Sequence, residues 1–324
     1  MTMPRGCSPW VLDILFVASP GRSGSLHFSQ GEIMEIKTVL VIGAGTMGRG
    51  IAYCSALAGY QTILEDVSQP MVEQGLDYIR RAFDEGVARG KATEEQKQQA
   101  MAHITTSNVV QDACRQADFI IEAVPEEMET KLEIFTILDK FAKPGAIFAS
   151  NTSSLSITEM AAITFRPENC IGMHFFNPVQ KMKLLEIVRG LETSEATVAA
   201  CAEAGRNMGK DVVVVRESPG FVTSRINAMI GNEAFFMLQE GVASAVDIDK
   251  ALKLGLNHPM GPFELVDLVG LDVRLSILQH LHRTLGEKYR PCPLLEQYVK
   301  AGRLGRKSGR GVYDYKEAGA KPKS

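Results

Sequence analysis

The sequence predicts an α/β fold: a mostly parallel sheet covered by helices, carrying an inserted helical hairpin and followed by an all-helical C-terminal region. Three observations carry this. Short β-type runs alternate with helical patterns from Val39 to Val215. A glycine-rich loop joins the first such run to the first helical pattern. After Glu217-Ser218-Pro219-Gly220 the β-type runs stop and helical periodicity takes over, over 221–241, 247–254, 262–284 and 293–302. Repeated strand–helix alternation with apolar strands implies a parallel sheet buried on both faces.

The first run, Val39-Leu40-Val41-Ile42, enters a loop made of Gly43, Gly45, Thr46, Met47 and Gly48, and a helical pattern follows through Ile51, Ala52, Ser55 and Ala56. Strand, Gly-x-Gly-x-x-Gly and helix in that order form a dinucleotide fingerprint. Gly43 permits the tight turn, Gly45 lets the backbone approach a pyrophosphate, and Gly48 lets the helix pack on the strand. The helix N-terminus then offers unpaired N–H groups to the phosphates. Gln61-Thr62-Ile63-Leu64 reads as the second strand, and Asp66 falls about 20 residues past the last glycine, where an acid meets the adenosine ribose. No Arg or Lys follows in Val67-Ser68-Gln69 to neutralise a 2′-phosphate, which favours NAD over NADP. The expected sheet is therefore of Rossmann type.

Residues 70–102 read as the helical hairpin: Val72, Leu76, Ile79 and Phe83 recur at helical spacing, and Gly90 with Thr93-Glu94-Glu95 marks a turn and a new start. Its Arg80, Arg81, Arg89 and Lys91 form either a solvated face or a contact for a phosphate-bearing substrate. Ile104–Thr106, Asp118–Val124 and Ala146–Ser150 are the next strands. The last empties into Asn151-Thr152-Ser153-Ser154, which should face the cofactor because loops at the carboxyl ends of such strands build the ligand crevice. Ser156-Ile157-Thr158-Glu159 fits a capping box for the following helix. Cys170–Phe176, Lys183–Val188 and Asp211–Val215 complete the β runs, and a domain boundary is placed near residue 216.

Residues 1–33 do not match this pattern. Their apolar run, Trp10 to Ala18, is short and interrupted by Asp13, which makes a poor signal peptide. Met34 is the expected natural start. Across 324 residues, 45% apolar and 23% charged content is ordinary for a globular chain, and the net charge of −3 argues against a general nucleic-acid surface. No apolar run reaches the ~18 residues of a membrane span. Six scattered cysteines without a C-x-x-C pair read as free thiols of a reducing cytoplasm, with no metal site expected.

For chemistry, His174 stands out among six histidines. It ends an apolar strand, beside a turn and 12 residues before Glu186. If the two strands are neighbours, the carboxylate fixes the imidazole tautomer and leaves the other nitrogen free as a base, which alcohol oxidation by NAD requires. If they are not, His174 is a structural strand residue with Glu186 on the surface.

The segments VIGAGTMGRGIA, IIEAVPE, ASNTSSLSIT, GMHFFNPVQKMKLLEIV, SPGFVTSRI, DIDKALKLGLNHPMGPFELVDLVGLD and GRKSGRGVYDY are ordered and nearly collinear. With them the chain resembles the L-3-hydroxyacyl-CoA dehydrogenases, including bacterial 3-hydroxybutyryl-CoA dehydrogenases, from about Ile36 to Tyr315. The resemblance implies an NAD-binding domain over 34–216, a helical substrate and dimerisation domain over 217–324, an acyl-CoA substrate and a homodimer. It implies His174 as catalytic base, Glu186 as its partner and Ser153 near the substrate oxygen and the nicotinamide. Asp66 falls on the ribose-binding acid, and Glu126, Lys131, Asn177 and Lys307 on further cofactor contacts. One departure stands out: many members carry an active-site Asn where this chain has Ser224, four residues beyond Gly220. A hydroxyl offers one donor where the amide offers two, and Asn227, a helical turn on, is the candidate to compensate. Two other readings share these features: a dehydrogenase of a free hydroxy compound of the L-gulonate or carnitine type, and a non-catalytic NAD-binding structural descendant. Phe175-Phe176 and the MKLLEIV stretch lean towards acyl-CoA, and the intact His174, Glu186 and Ser153 argue against the second.

Overall fold

The structure is a computed structural model and describes residues 35–315; the segment before Met34 and the polar tail lie outside the described residues. β1 (Thr38–Ile42) shows why the sheet forms where it does. Val39 and Val41 point to one face and Leu40 and Ile42 to the other, each joining a separate apolar core, so a central strand with no polar face is buried twice. The glycine loop leads into α1 (Thr46–Leu57), which returns to β2 (Gln61–Glu65).

The hairpin follows as α2 (Gln69–Ala88) and α3 (Glu94–Ala102). Thr93 starts α3 with a reciprocal capping box: its hydroxyl accepts from Gln96 N at 3.1 Å and the Gln96 side chain accepts from Thr93 N at 2.9 Å. Arg80 of α2 and Arg89 just past its end pair with Asp77 and Glu85 of that helix, as residues of a solvated face do.

The sheet continues through β3 (Ile104–Ser107), α4 (Val110–Cys114), β4 (Phe119–Glu122), α5 (Met128–Phe141), β5 (Ile147–Ser150) and α6 (Ile157–Ala162). Ser156 caps α6 by accepting from Glu159 N at 3.0 Å. β6 (Cys170–Phe175), β7 (Leu184–Arg189), α7 (Glu195–Asn207) and β8 (Asp211–Arg216) complete it. The eight strands lie in the order β3-β2-β1-β4-β5-β6-β7-β8. Neighbours are parallel except β6 and β7, which pair antiparallel.

Beyond Arg216 the chain is helical: α8 (Thr223–Gln239), α9 (Ala245–Gly255), α10 (Pro262–Val269), α11 (Leu271–Leu285) and α12 (Pro293–Lys300). These helices bury a third core around Phe235, Phe263, Leu278 and Tyr289, and the Phe235 and Phe263 rings meet edge-on at 5.2 Å.

The elements differ from the sequence reading in three places. The helix expected over 262–284 is two helices, because Gly270 adopts φ +111° between them, a conformation that breaks the helix and favours glycine. α4 spans only 5 residues, too few to show a period. α7 is rich in alanine, and its buried residues include Ala200, Ala202, Ala204 and Gly205, so its apolar face has little contrast with the rest. Among the described residues no helix is long and apolar enough to cross a membrane, and Cys54, Cys114, Cys170, Cys201 and Cys292 are buried free thiols.

Candidate active site

The glycine loop is shaped by sterics. Gly43 sits at φ +96°, and a Cβ there would lie 2.8 Å from the Ala123 carbonyl oxygen. A Cβ on Gly48 would lie 1.7 Å from the Gly43 oxygen, so α1 approaches its own loop as closely as backbone allows. A Cβ on Gly45 would meet nothing within 4 Å. That open side, at a helix N-terminus with no side-chain cap and no acidic residue in the first turn, fits a pyrophosphate. Exposed Thr46 and half-buried Met47 open α1 there.

Asp66 lies beside this loop. Its carboxylate accepts from Ala44 N at 2.9 Å and Ser68 N at 3.0 Å, which ties the end of β2 to the loop and leaves further lone pairs for a ribose. The preceding Glu65 is 1% exposed; burial first and the neighbouring Asp66 charge second push its carboxyl up to about 7.

The His174–Glu186 pair is formed by strand register. His174 and Glu186 stand directly opposite each other across β6 and β7. His174 Nδ1 lies 2.7 Å from Glu186 Oε2, with the two residues 7% and 1% exposed. A carboxylate only accepts, so Nδ1 carries the proton, and Nε2 is the nitrogen left for a ligand. Asn151, at the end of β5, holds the adjacent backbone by accepting from Phe175 N at 2.9 Å.

Sequence reasoning missed what sits on the far side of the carboxylate. Thr223 donates its N–H to Glu186 Oε1 at 3.0 Å and its hydroxyl to Oε2 at 3.1 Å. Burial opposes the Glu186 charge, but the hydrogen bonds from His174 and Thr223 outweigh it and hold the carboxyl below the usual carboxylate range. The turn that delivers Thr223 is strained: Phe221 adopts φ +47° directly after Gly220 at φ +73°. The Phe221 ring lies 5.9 Å from the imidazole and that of Phe176 4.3 Å, so aromatic rings flank His174. The signal that would have found Thr223 is its place in the first turn after Ser-Pro-Gly-Phe. Ser224 is half-buried one residue on, and the dyad's hydrogen bonds to α8 come from Thr223.

A second cluster joins the ends of β4 and β5. Glu126 Oε1 accepts from Thr152 Oγ1 at 2.7 Å, Ser153 N at 2.8 Å and Ser153 Oγ at 3.1 Å. Its other oxygen lies 3.5 Å from Lys131 Nζ. Lys131 is 1% exposed and pairs at 2.7 Å with Glu122, which also accepts from Ser150 Oγ at 2.7 Å. Glu126, Lys131 and Ser153 are thus brought together. Asn177 is exposed just past β6, and Lys307 pairs with Asp272 of α11 at 2.7 Å. Among the described residues no cluster of three His, Cys, Asp or Glu side chains is placed to hold a metal.

β6 runs parallel to β5, so His174 lies at the same edge of the sheet as the glycine loop. A dinucleotide loop and a buried His–Glu pair at one end of a mostly parallel sheet are features of an NAD-dependent oxidoreductase of the Rossmann class. Its sequence carries the comparison further. Residues 38–218 match the profile of the 3-hydroxyacyl-CoA dehydrogenase NAD-binding domain, and residues 220–315 that of the 3-hydroxyacyl-CoA dehydrogenase C-terminal domain. The chain is 49% identical over 285 residues to a probable 3-hydroxybutyryl-CoA dehydrogenase of Bacillus subtilis, covering 88% of this chain and 99% of that protein. It is 48% identical over 288 residues to a 3-hydroxybutyryl-CoA dehydrogenase of Bradyrhizobium diazoefficiens, covering 89% and 97%. The crystal structure of (S)-3-hydroxybutyryl-CoA dehydrogenase PaaH1 from Ralstonia eutropha superposes with a TM-score of 0.85 at 44% identity, covering 87% of this chain and all of that one. The chain belongs to the 3-hydroxyacyl-CoA dehydrogenase family.

Proposed function

We propose that the chain oxidises short (S)-3-hydroxyacyl-CoA thioesters, 3-hydroxybutyryl-CoA first among them, to 3-ketoacyl-CoA. The observation that carries this is the buried 2.7 Å pairing of His174 with Glu186 in a chain of this family. Bound NAD supplies the hydride acceptor. His174 Nε2 takes the hydroxyl proton, and Glu186 stabilises the imidazolium that results. In the reverse direction the protonated His174 polarises the ketone oxygen. Asp66 holds the adenosine ribose, and the N–H groups of Gly45, Thr46, Met47 and Gly48 face the pyrophosphate. Asn177 and Lys307 are further cofactor contacts, and Ser224 borders the thioester.

Residues 34–216 act as the cofactor domain, and residues 217–324 as the substrate and dimerisation domain. Association of two copies through the helices is supported by exposed apolar side chains there, with Ile226 58%, Leu254 77% and Leu256 67% exposed. Buried free thiols fit a cytoplasmic protein. The test is NADH oxidation across a ladder of 3-ketoacyl-CoA chain lengths, set against free hydroxy and keto acids. Activity concentrated at acetoacetyl-CoA is expected; turnover of a free acid in preference to every thioester overturns the proposal.

A further inference from the structure

Arg49 directly follows Gly48 on α1, and no carboxylate answers its charge. Its guanidinium stacks on the Tyr78 ring of α2, 4.0 Å from the ring centre. Its Nε is enclosed without a hydrogen-bond partner, and among the described residues no ion pair reaches it. Tyr78 is itself held, because Gln180 Nε2 donates to its hydroxyl oxygen at 2.7 Å. Gln180 belongs to the turn after β6, and that turn is fixed from below. The N–H groups of Lys181 and Met182 both reach the Pro178 oxygen, and buried Lys210 donates to the carbonyls of Val179 and Met182. The turn also touches α1 beside Arg49, since a Cβ on Gly50 would lie 2.8 Å from Val179 Cβ. Three elements thus hold one unpaired cation between the glycine loop and the strand that carries His174. Stacking occupies the flat face of a guanidinium and leaves its N–H edge for a ligand, and a partly enclosed cation gains more from an anion than a solvated one does. The hairpin cations are placed otherwise: Arg80 and Arg89 turn to Asp77 and Glu85, and Arg81 to the Asp77 carbonyl.

We propose that Arg49 binds a phosphate of the coenzyme A part of the substrate and that Tyr78 positions it for that contact. Phosphates are also carried by NAD, but the N–H groups of residues 45–48 face those, whereas Arg49 reaches across to α2 and to the turn after β6. The reacting end of the substrate lies at His174, so a coenzyme A arm that leaves past this turn meets Arg49. The inference rests on the acyl-CoA reading above.

The test compares two substrates in the full-length protein: acetoacetyl-CoA, and acetoacetyl-pantetheine, which keeps the thioester and lacks every phosphate. NADH oxidation gives kcat and KM for each, and fluorescence titration gives the NADH dissociation constant. Arg49→Gln should raise KM for acetoacetyl-CoA by at least about tenfold, the worth of one charge-assisted hydrogen bond. Its kcat should stay within about threefold of wild type, because a contact remote from the reacting atoms is the same in ground and transition states. With acetoacetyl-pantetheine the variant should keep kcat/KM within about twofold, which a merely structural disturbance of α1 would not spare. Tyr78→Leu keeps the cation and removes the ring beneath it, so KM for acetoacetyl-CoA should rise by about threefold or more, with the pantetheine ester again spared. The inference is overturned if either variant leaves KM for acetoacetyl-CoA at the wild-type value, or if both thioesters lose equally. It is also overturned if Arg49→Gln weakens NADH binding in place of raising KM, which assigns Arg49 to the phosphates of the cofactor. A wild type that turns over neither thioester would instead overturn the acyl-CoA reading.

Discussion

Replacing Glu186 with Gln tests the pairing at the centre of the site without changing its volume. The carboxylate faces three donors: His174 Nδ1 and Thr223 Oγ1 on Oε2, and Thr223 N on Oε1. An amide has one oxygen and one NH2. If the oxygen stays on Thr223 N, the NH2 faces Nδ1 and can donate only to an unprotonated nitrogen. The ring proton then moves to Nε2, which no longer serves as a base. If the amide flips, its NH2 faces the Thr223 N–H, and a buried donor left without an acceptor costs about 1–3 kcal/mol. Either orientation removes the negative charge that stabilises the imidazolium. General-base catalysis is worth about 10²–10⁴-fold, so Glu186→Gln should lose that much turnover in the oxidation of 3-hydroxybutyryl-CoA by NAD, the direction in which Nε2 must accept the proton. The cofactor loop is untouched, so the NADH dissociation constant should stay within about threefold, measured by fluorescence titration, because no lost contact reaches the tenfold set by 1.4 kcal/mol. Turnover within about fivefold of wild type, well short of the loss expected for a missing general base, would refute the argument and remove the dyad from the mechanism.

Two further outcomes follow from the loop and its flank. Gly48→Ala places a Cβ 1.7 Å from the Gly43 oxygen, so α1 must move off its loop. NAD binding should fall by at least about tenfold; calorimetric titration reads it, and wild-type affinity contradicts the steric argument. Glu65, whose folded carboxyl is raised to about 7 from 4.5, makes folding less favourable as pH rises through that interval, because the unfolded chain releases the proton first. Glu65→Gln should therefore exceed wild type by no more than about 1 kcal/mol near pH 5 and by about 3 kcal/mol at pH 8. Urea unfolding at both pH values and one protein concentration checks this, and an equal difference at the two pH values refutes it.

By itself the sequence determined the elements whose geometry is local. Gly43, Gly45 and Gly48 are legible because a turn, an open approach and a helix–loop contact each exclude a side chain within a few residues of chain. Asp66 is legible because one helix and one strand fix its distance from that loop. The alternation of apolar strands with helices likewise implies a doubly covered sheet. The sequence also singled out His174 and Glu186, but only as residues that meet if their strands are neighbours, and pairing and register are long-range properties. Tertiary structure decided that β6 and β7 lie antiparallel with these two residues opposed. It also supplied Thr223, 37 residues from Glu186, through a strained turn at Gly220 and Phe221. The same holds for Glu126, which reads as an ordinary turn residue until the ends of β4 and β5 are side by side and the proton of Ser153 turns towards it. A side chain's hydrogen-bond role depends on which groups remain unpaired around it, and those groups come from segments that only the folded sheet brings together.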